Sequence, residues 1–503
     1  MNDTQQASKT TSGAGSVSRL AKAGALWVIL AAALAIPLSY YRSWILVQID
    51  QSGAVLGDYA VILLFGQFVG TFVLFGGSSV LTHFLPKIRS DREKSAFILT
   101  YGLISLAAVA GFVCWMNLWP RGLSMLIRQP IDLLTLRIFS CLAPIVLLSQ
   151  LAVFSLAGLI RFRVSSALNQ IQVFSVCLFA TAACLYFPKF LQEHSIVMLG
   201  SLVAISNVLA VAIGLRYIAK EAFPTRLQVF LPEGFCKYAS FVHMNTLFTF
   251  AFQYIDQIFI LVTFGKQELG AYFVLWQGAR LVAFVPQSIG QVMLASFSQM
   301  VGAGDENELR QMYLKLSRLI LIQGTPIALA LILFSFPIAS IFGAWVGERH
   351  LYLALLAAVM HIGTLGALNS MAVMAKERTG AFFINSLVLI SLQLVVTFAL
   401  VERLGILAVI CGKFAGVVSG QIGLYYIVRW KLGSISLQPP REYWISLIVI
   451  SAATTFSLYW NSPTVAWTIG TYITFLVLFL WSIRFRCAEL LDFIRQSKLG
   501  SSR

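Results

Sequence analysis

The sequence predicts an all-α polytopic membrane protein, with about 14 transmembrane helices in two six-helix lobes plus a C-terminal helix pair. Three observations carry this class. Of 503 residues, 58% are hydrophobic and 11% charged, whereas soluble domains carry about 25% charged residues. The stretches 59–86, 95–120, 164–188, 281–304, 319–347, 350–375 and 379–401 hold no Asp, Glu, Lys or Arg. Each is longer than the roughly 18 apolar residues that mark a spanning helix, and barrel strands would be only about ten residues of alternating character. Finally, Lys and Arg concentrate on one side of the alternating loops, as membrane orientation requires.

Residues 1–20, polar and rich in Ser, Thr and Gly, predict a disordered cytoplasmic tail. The apolar segment that follows is too long for the core of a signal peptide and lacks a cleavage pattern. The first lobe, 21–219, places spans at 21–49, 57–85, 95–117, 133–160, 164–187 and 195–219. A cytoplasmic linker, 220–236, leads to the second lobe, 237–430, with spans at 237–264, 270–300, 312–342, 351–375, 379–401 and 405–429. The added pair, helices 13 and 14 within 431–486, is divided by the turn signal Asn461-Ser462-Pro463. Residues 487–503 form a cytoplasmic tail, whose Leu490, Leu491, Phe493 and Ile494 suit either a short surface helix or a solvated end.

With a cytoplasmic N-terminus, the outer loops hold Arg121, Arg128, Arg137, Lys189, Lys266, Arg349 and Arg403. The other loop Lys and Arg fall on the cytoplasmic side, including the run Lys87-Ile-Arg-Ser-Asp-Arg-Glu-Lys94. This distribution sets both termini in the cytoplasm. It also explains the net charge of +16 by orientation, so no nucleic-acid partner is expected. The seven cysteines form no C-x-x-C pair, which predicts structural thiols without a metal site. His83, His243 and His361 are likewise far apart and read as polar core residues, with His243 a weak cargo candidate. Pro144, Pro286, Pro326 and Pro337 mark candidate kinks.

The second and eighth spans repeat each other at an offset of 213. Leu56-Gly-Asp-Tyr59 matches Leu269-Gly-Ala-Tyr272, and eight of the 29 positions from Leu56 to Phe84 are identical. An even number of spans per unit makes both lobes enter the membrane from the same side. Two lobes about an axis along the membrane normal, with a site between them, are an arrangement on which transporters rock.

Leu56-Gly-Asp-Tyr-Ala60 and Phe75-Gly-Gly-Ser-Ser-Val-Leu-Thr-His-Phe-Leu-Pro86 before a basic loop resemble the polysaccharide-transporter (Wzx-type flippase) family. So do Ile255-Asp-Gln-Ile-Phe-Ile260, Leu269-Gly-Ala-Tyr-Phe273 and Ser298-Gln-Met-Val-Gly-Ala-Gly-Asp305. That family lies within the multidrug/oligosaccharidyl-lipid/polysaccharide exporter superfamily, and the likeness spans essentially the whole chain. The resemblance implies a flippase, not an enzyme, that moves an isoprenoid-pyrophosphate-linked oligosaccharide from the inner to the outer leaflet of a bacterial inner membrane. It implies as partners the lipid-linked oligosaccharide, membrane lipids, and a polysaccharide polymerase or assembly complex.

Four ionisable residues inside spans are the candidate site, because a charge there is costly and faces a cavity or a partner. Arg280, ten residues into its span, lies roughly 15 Å below the outer end at 1.5 Å per residue. There its planar fork suits phosphate oxygens, or a structural ion pair with Asp256. Arg42, beyond Pro37, falls by the repeat offset opposite Ile255, beside Asp256. An Arg42–Asp256 contact closing the outer mouth is one reading, and snorkelling of Arg42 to headgroups the other. Lys413, within Gly412-Lys-Phe-Ala-Gly416, either reaches the cavity or snorkels, on a helix whose small residues suit close packing. Asp256 is a coupling or gating residue that exchanges H+ or Na+, or a structural counter-charge.

No Walker loop or H-E-x-x-H motif is present, so no catalytic residue and no cofactor is expected. Energy would come from an ion or cargo gradient. Two rivals remain: a cation-coupled multidrug exporter, which calls for an acidic cavity, and a non-transporting scaffold of an envelope-synthesis complex.

Overall fold

The computed structural model describes residues 35–50, 52–88, 90–120, 133–159, 161–221, 228–284, 305–376, 379–431, 439–459 and 465–482, together with 286, 297, 300 and 301. Both expected tails, the turn at Asn461-Ser462-Pro463 and the inner part of the eighth span lie outside them. All regular structure among the described residues is helical. This is the all-α class expected of a chain whose backbone must satisfy its own hydrogen bonds in lipid.

Helix α1 covers 35–49, followed by α2 (Ala54–Phe72), α3 (Gly77–Phe84), α4 (Asp91–Leu118), α5 (Leu133–Gly158), α6 (Phe162–Tyr186) and α7 (Ser195–Glu221). The second half comprises α8 (Phe235–Phe264), α9 (Lys266–Ala279), α10 (Glu306–Leu333), α11 (His350–Ala375), α12 (Thr379–Leu404), α13 (Ile406–Lys431), α14 (Arg441–Tyr459) and α15 (Val465–Ser482). Ten of these helices are long and apolar enough to cross a membrane. Shorter described segments, α1, α9, α14 and α15, stand where the first, eighth, thirteenth and fourteenth spans were expected.

The helix starts follow local chemistry. Asp50 closes the start of α2, accepting from Ser52 N at 2.9 Å, Ser52 Oγ at 2.8 Å and Val55 N at 3.2 Å. Burial pushes the Asp50 carboxyl up, but these bonds outweigh it and hold it below the usual carboxylate range. Asp305 caps α10 through the Glu308 amide at 2.9 Å, with Glu306 and Glu308 in the first turn, where the helix dipole favours anions.

Three expected spans are interrupted. The second breaks at Gly76 and Gly77, whose φ values of 83° and 56° are open to glycine. The ninth stops at Leu333 and resumes as a short helix over Ser335–Ser340. The eighth narrows into a 3-10 turn over Arg280–Ala283.

In the first half α5 packs on α3, α4, α6 and α7; in the second α11 packs on α9, α10, α13 and α14. Contacts between the halves run through α2 with α9, α2 with α8, and α3 with α8. The α2–α9 contact is the repeat itself. A Cβ on Gly57 would lie 2.0 Å from the Lys266 carbonyl oxygen, and one on Gly270 would lie 2.9 Å from both Gly57 N and Gly53 O. Gly57 and Gly270 are equivalent at the offset of 213. The repeated Leu-Gly-x-Tyr motif therefore meets its own copy, and glycine is what lets the two backbones touch.

Candidate functional site

Four charged side chains are buried among the described residues: Arg42, Asp58, Asp256 and Lys413. Asp256, on α8, pairs with Lys413 of α13, Nζ to Oδ2 being 2.6 Å with both side chains at or below 1% exposure. The Tyr272 hydroxyl of α9 donates to the same oxygen, and Gln257 N donates to Oδ1 at 2.9 Å. The Lys413 ammonium sits 3.9 Å from the Trp276 ring centroid, and the Phe252 and Gln253 carbonyl oxygens are each 3.5 Å from Nζ.

The lysine is aimed by its neighbours. Gly412 and Gly416 face α12, where a Cβ would meet the Gln393 carbonyl at 2.5 Å and the Leu389 carbonyl at 3.0 Å. With that stripe against α12, the next position along α13 points toward α8 and α9. Close small-residue packing and a buried lysine thus follow from one helix register. Lys413 does not snorkel.

Arg42 is 5% exposed, with its guanidinium 4.5 Å from the Tyr59 ring centroid. Its Nε is buried without a hydrogen-bond partner. The structure corrects two expectations here. Asp256 takes Lys413 instead of Arg42, and Arg42 lies over an aromatic face inside the bundle, away from headgroups. The repeat still shows in this pair of contacts. Tyr59 and Tyr272 are equivalent positions, and each partners the charged residue at nearly the same place on the preceding span.

Arg280 stands apart from the ion pair on Asp256. It is exposed, while Leu269 to Ala279 are buried apart from Gln277. Its charge acts on Tyr254 of α8 and on Lys413.

A second cluster was not anticipated. Asp58 of α2 accepts from Lys266 Nζ at 3.1 and 3.2 Å and from the Ser195 hydroxyl of α7. Arg349 grips Glu268 with two nitrogens, Nε to Oε2 at 2.8 Å, while Nη1 donates to the Trp345 carbonyl at 2.6 Å. Trp345 packs against Gly53, where a Cβ would collide with the indole at 2.3 Å. All these groups sit around the Gly57–Gly270 contact, at the end carrying the predicted outer loops. The signal was present in the motif: Asp58 lies inside Leu56-Gly-Asp-Tyr59, and Lys266 stands three residues before Leu269.

At the other end of α2 and α3, Gly76 N donates to His243 Nδ1 at 3.3 Å, and His83 stacks on Tyr238 with ring centroids 4.0 Å apart. His361 contacts Ser446 at 3.1 Å. The three histidines serve separate contacts.

Residues 242–399, which include Asp256, Tyr272 and Arg280, match the MatE family model. No curated protein matches the chain. The solved lipid II flippase MurJ, in an inward closed conformation, superposes with a TM-score of 0.67 at 15% identity, covering 92% of this chain and 99% of that one. An inward-facing multidrug resistance MATE family transporter of the MOP superfamily gives 0.62 at 11% identity, covering 86% and 99%. The Vibrio cholerae MATE transporter VcmN, as a point mutant, gives 0.54 at 14% identity, covering 84% and 98%. The chain therefore shares the fold of these solved transporters, and its MatE match lies in the half that holds the Asp256–Lys413 pair.

Proposed function

We propose that the protein is an alternating-access transporter of an isoprenoid-pyrophosphate-linked oligosaccharide, moving it to the outer leaflet of a bacterial inner membrane for polysaccharide synthesis. The two halves rock against each other, and the Gly57–Gly270 contact closes the outer end. Arg280 meets the pyrophosphate, Arg42 supplies a second positive charge, and the isoprenoid tail stays in lipid.

One observation supports this cargo above the others. Both buried carboxylates among the described residues, Asp58 and Asp256, are neutralised by lysines. A cavity for organic cations needs uncompensated negative charge, because an anion facing the ligand is what offsets its desolvation. With half-exposed Lys266 set against Asp58 and Lys413 against Asp256, the buried charge left over is the positive one of Arg42. Exposure of Arg280 on an otherwise enclosed helix supports an opening between helices as the place it faces. Lys413 neutralises Asp256 within the second half and makes no direct contact with the cargo.

The test is flipping of a lipid-linked oligosaccharide in reconstituted vesicles, comparing wild type with Arg280→Ala at matched protein content. Flipping by the wild type and its loss in the variant supports the reading. Wild-type vesicles that leave the oligosaccharide in place but expel cationic drugs support the exporter reading, which the MatE match favours. Vesicles that do neither return the protein to a scaffold role beside the polymerase.

A further inference from the structure

The surroundings of the Lys413 ammonium are those of an ion site. One carboxylate oxygen, Asp256 Oδ2, lies at 2.6 Å, and two main-chain carbonyl oxygens, of Phe252 and Gln253, lie at 3.5 Å. The Tyr272 hydroxyl donates to the same carboxylate oxygen, and the Trp276 ring closes one side at 3.9 Å. Hard oxygens and one aromatic face are what a bare alkali cation accepts in place of water. The shell carries a single negative charge, which matches one positive charge and not two. The ammonium is moreover held on a helix that packs too tightly against α12, at Gly412 and Gly416, to swing elsewhere.

We propose that Lys413 is a tethered cation, filling a monovalent-metal site built from Asp256, Tyr272 and the α8 carbonyls, so that this half of the protein takes no Na+ or K+ at Asp256. An exchangeable ion is thereby replaced by a covalently attached one. Truncating Lys413 to alanine removes three methylenes and the ammonium, which opens a volume larger than the roughly 30 Å³ share of one water, and it leaves Asp256 as an uncompensated buried anion. A small cation from solution then becomes the natural replacement. Of the coupling ions expected at Asp256, Na+ is thus excluded in the native protein, whatever the cargo.

The proposal is tested on the purified full chain in detergent, by thermal unfolding in NaCl, KCl or choline chloride at equal ionic strength and by equilibrium binding of radioactive Na+. The wild type should unfold at one temperature in all three salts and bind no saturable Na+. Lys413→Ala should unfold lower in choline chloride, recover in a saturable manner with Na+ or K+, and bind the ion. The double variant Asp256→Asn/Lys413→Ala should lose both the cation response and the binding. Lys413→Arg, which keeps the charge, should stay indifferent to the salt. Saturable Na+ binding by the wild type that Asp256→Asn removes would overturn the proposal. So would a Lys413→Ala protein, shown folded by its cooperative melt, that ignores the cation. None of these readouts involves the oligosaccharide, so they stand or fall separately from the flippase reading.

Discussion

Gly57→Ala should shift the protein away from its closed outer end, and the size of the effect follows from the contact geometry. The added Cβ would stand 2.0 Å from the Lys266 carbonyl oxygen and 2.7 Å from the carbonyl carbon. An ordinary carbon–oxygen contact is at roughly 3.3 Å, so α2 and α9 must part by about 1.3 Å. Both colliding groups are backbone, and no rotamer change relieves them. Overpacking of this kind costs about 1–3 kcal/mol. Because the collision exists only while the two halves touch, the cost falls on the closed state and tilts the equilibrium by about 5–150-fold.

Spin labels on Gln48 and Glu348, both exposed at this end on opposite halves, report the change by pulsed electron paramagnetic resonance in nanodiscs. Native cysteines are replaced beforehand. The variant should gain a longer-distance population and lose flipping rate. Gly111→Ala is the control, since a Cβ there meets nothing within 4 Å. In a helix interior it should stabilise by about 0.5–1 kcal/mol. An unchanged distance distribution in Gly57→Ala, with unchanged flipping, would refute the closure assigned to this seam.

Asp256→Asn should destabilise by about 3–5 kcal/mol, because it strands the buried Lys413 ammonium. Asp256→Asn/Lys413→Met should recover most of that loss, and denaturant melts of the single and double variants measure the coupling. Arg42→Lys should lose flipping activity despite keeping the charge, because a compact ammonium does not reproduce the guanidinium's contact with the Tyr59 ring; rates in reconstituted vesicles decide this. Asp50→Ala should cost about 1 kcal/mol at the start of α2. Because the folded carboxyl titrates below its ordinary range, this cap is fully present above the unfolded value near 3.9 and is lost as pH falls through the lower folded value. Hydrogen exchange of the first α2 amides should therefore accelerate, beyond the intrinsic pH effect, on acidification of the wild type but not of Asp50→Ala.

Much of the fold could be read from where charge was missing, since a chain in lipid has few other solutions. Residues at the edges of those charge-free windows were harder. Asp58 falls in the first turn of the expected second span and Lys266 in the outer loop before Leu269, yet the two meet across the halves. The repeat offset placed Arg42 level with Asp256, which fixes height in the membrane but not which helix is the neighbour. The true partner, Lys413, is 157 residues away and was visible only as a lysine among glycines. The Gly76-Gly77 pair announced the break after α2. The 3-10 turn over Arg280–Ala283 has its signal in Pro286, which cannot donate to the Val282 carbonyl four residues earlier.

The two halves share a backbone plan and invert its charge. Tyr59 and Tyr272 are the same repeat position, and each faces a charged group on the span before it, Arg42 in one half and Asp256 in the other. Left alone, such an inversion would place a cation and an anion at matching depths, and attraction would draw them together when the halves close. Lys413 removes that pull by neutralising Asp256 from within its own half. Between the halves lie the glycine contact, which is steric, aromatic contacts such as Tyr59 on Phe273 and Phe72 on Phe250, and the Asp58–Lys266 ion pair. Lys266 of the Asp58 pair is 42% exposed, so water can replace its lost partner as the halves separate. A transporter that must open and close needs a seam of that kind. The strong pair is buried where it does not have to break, and the half-exposed Asp58–Lys266 pair sits where it does.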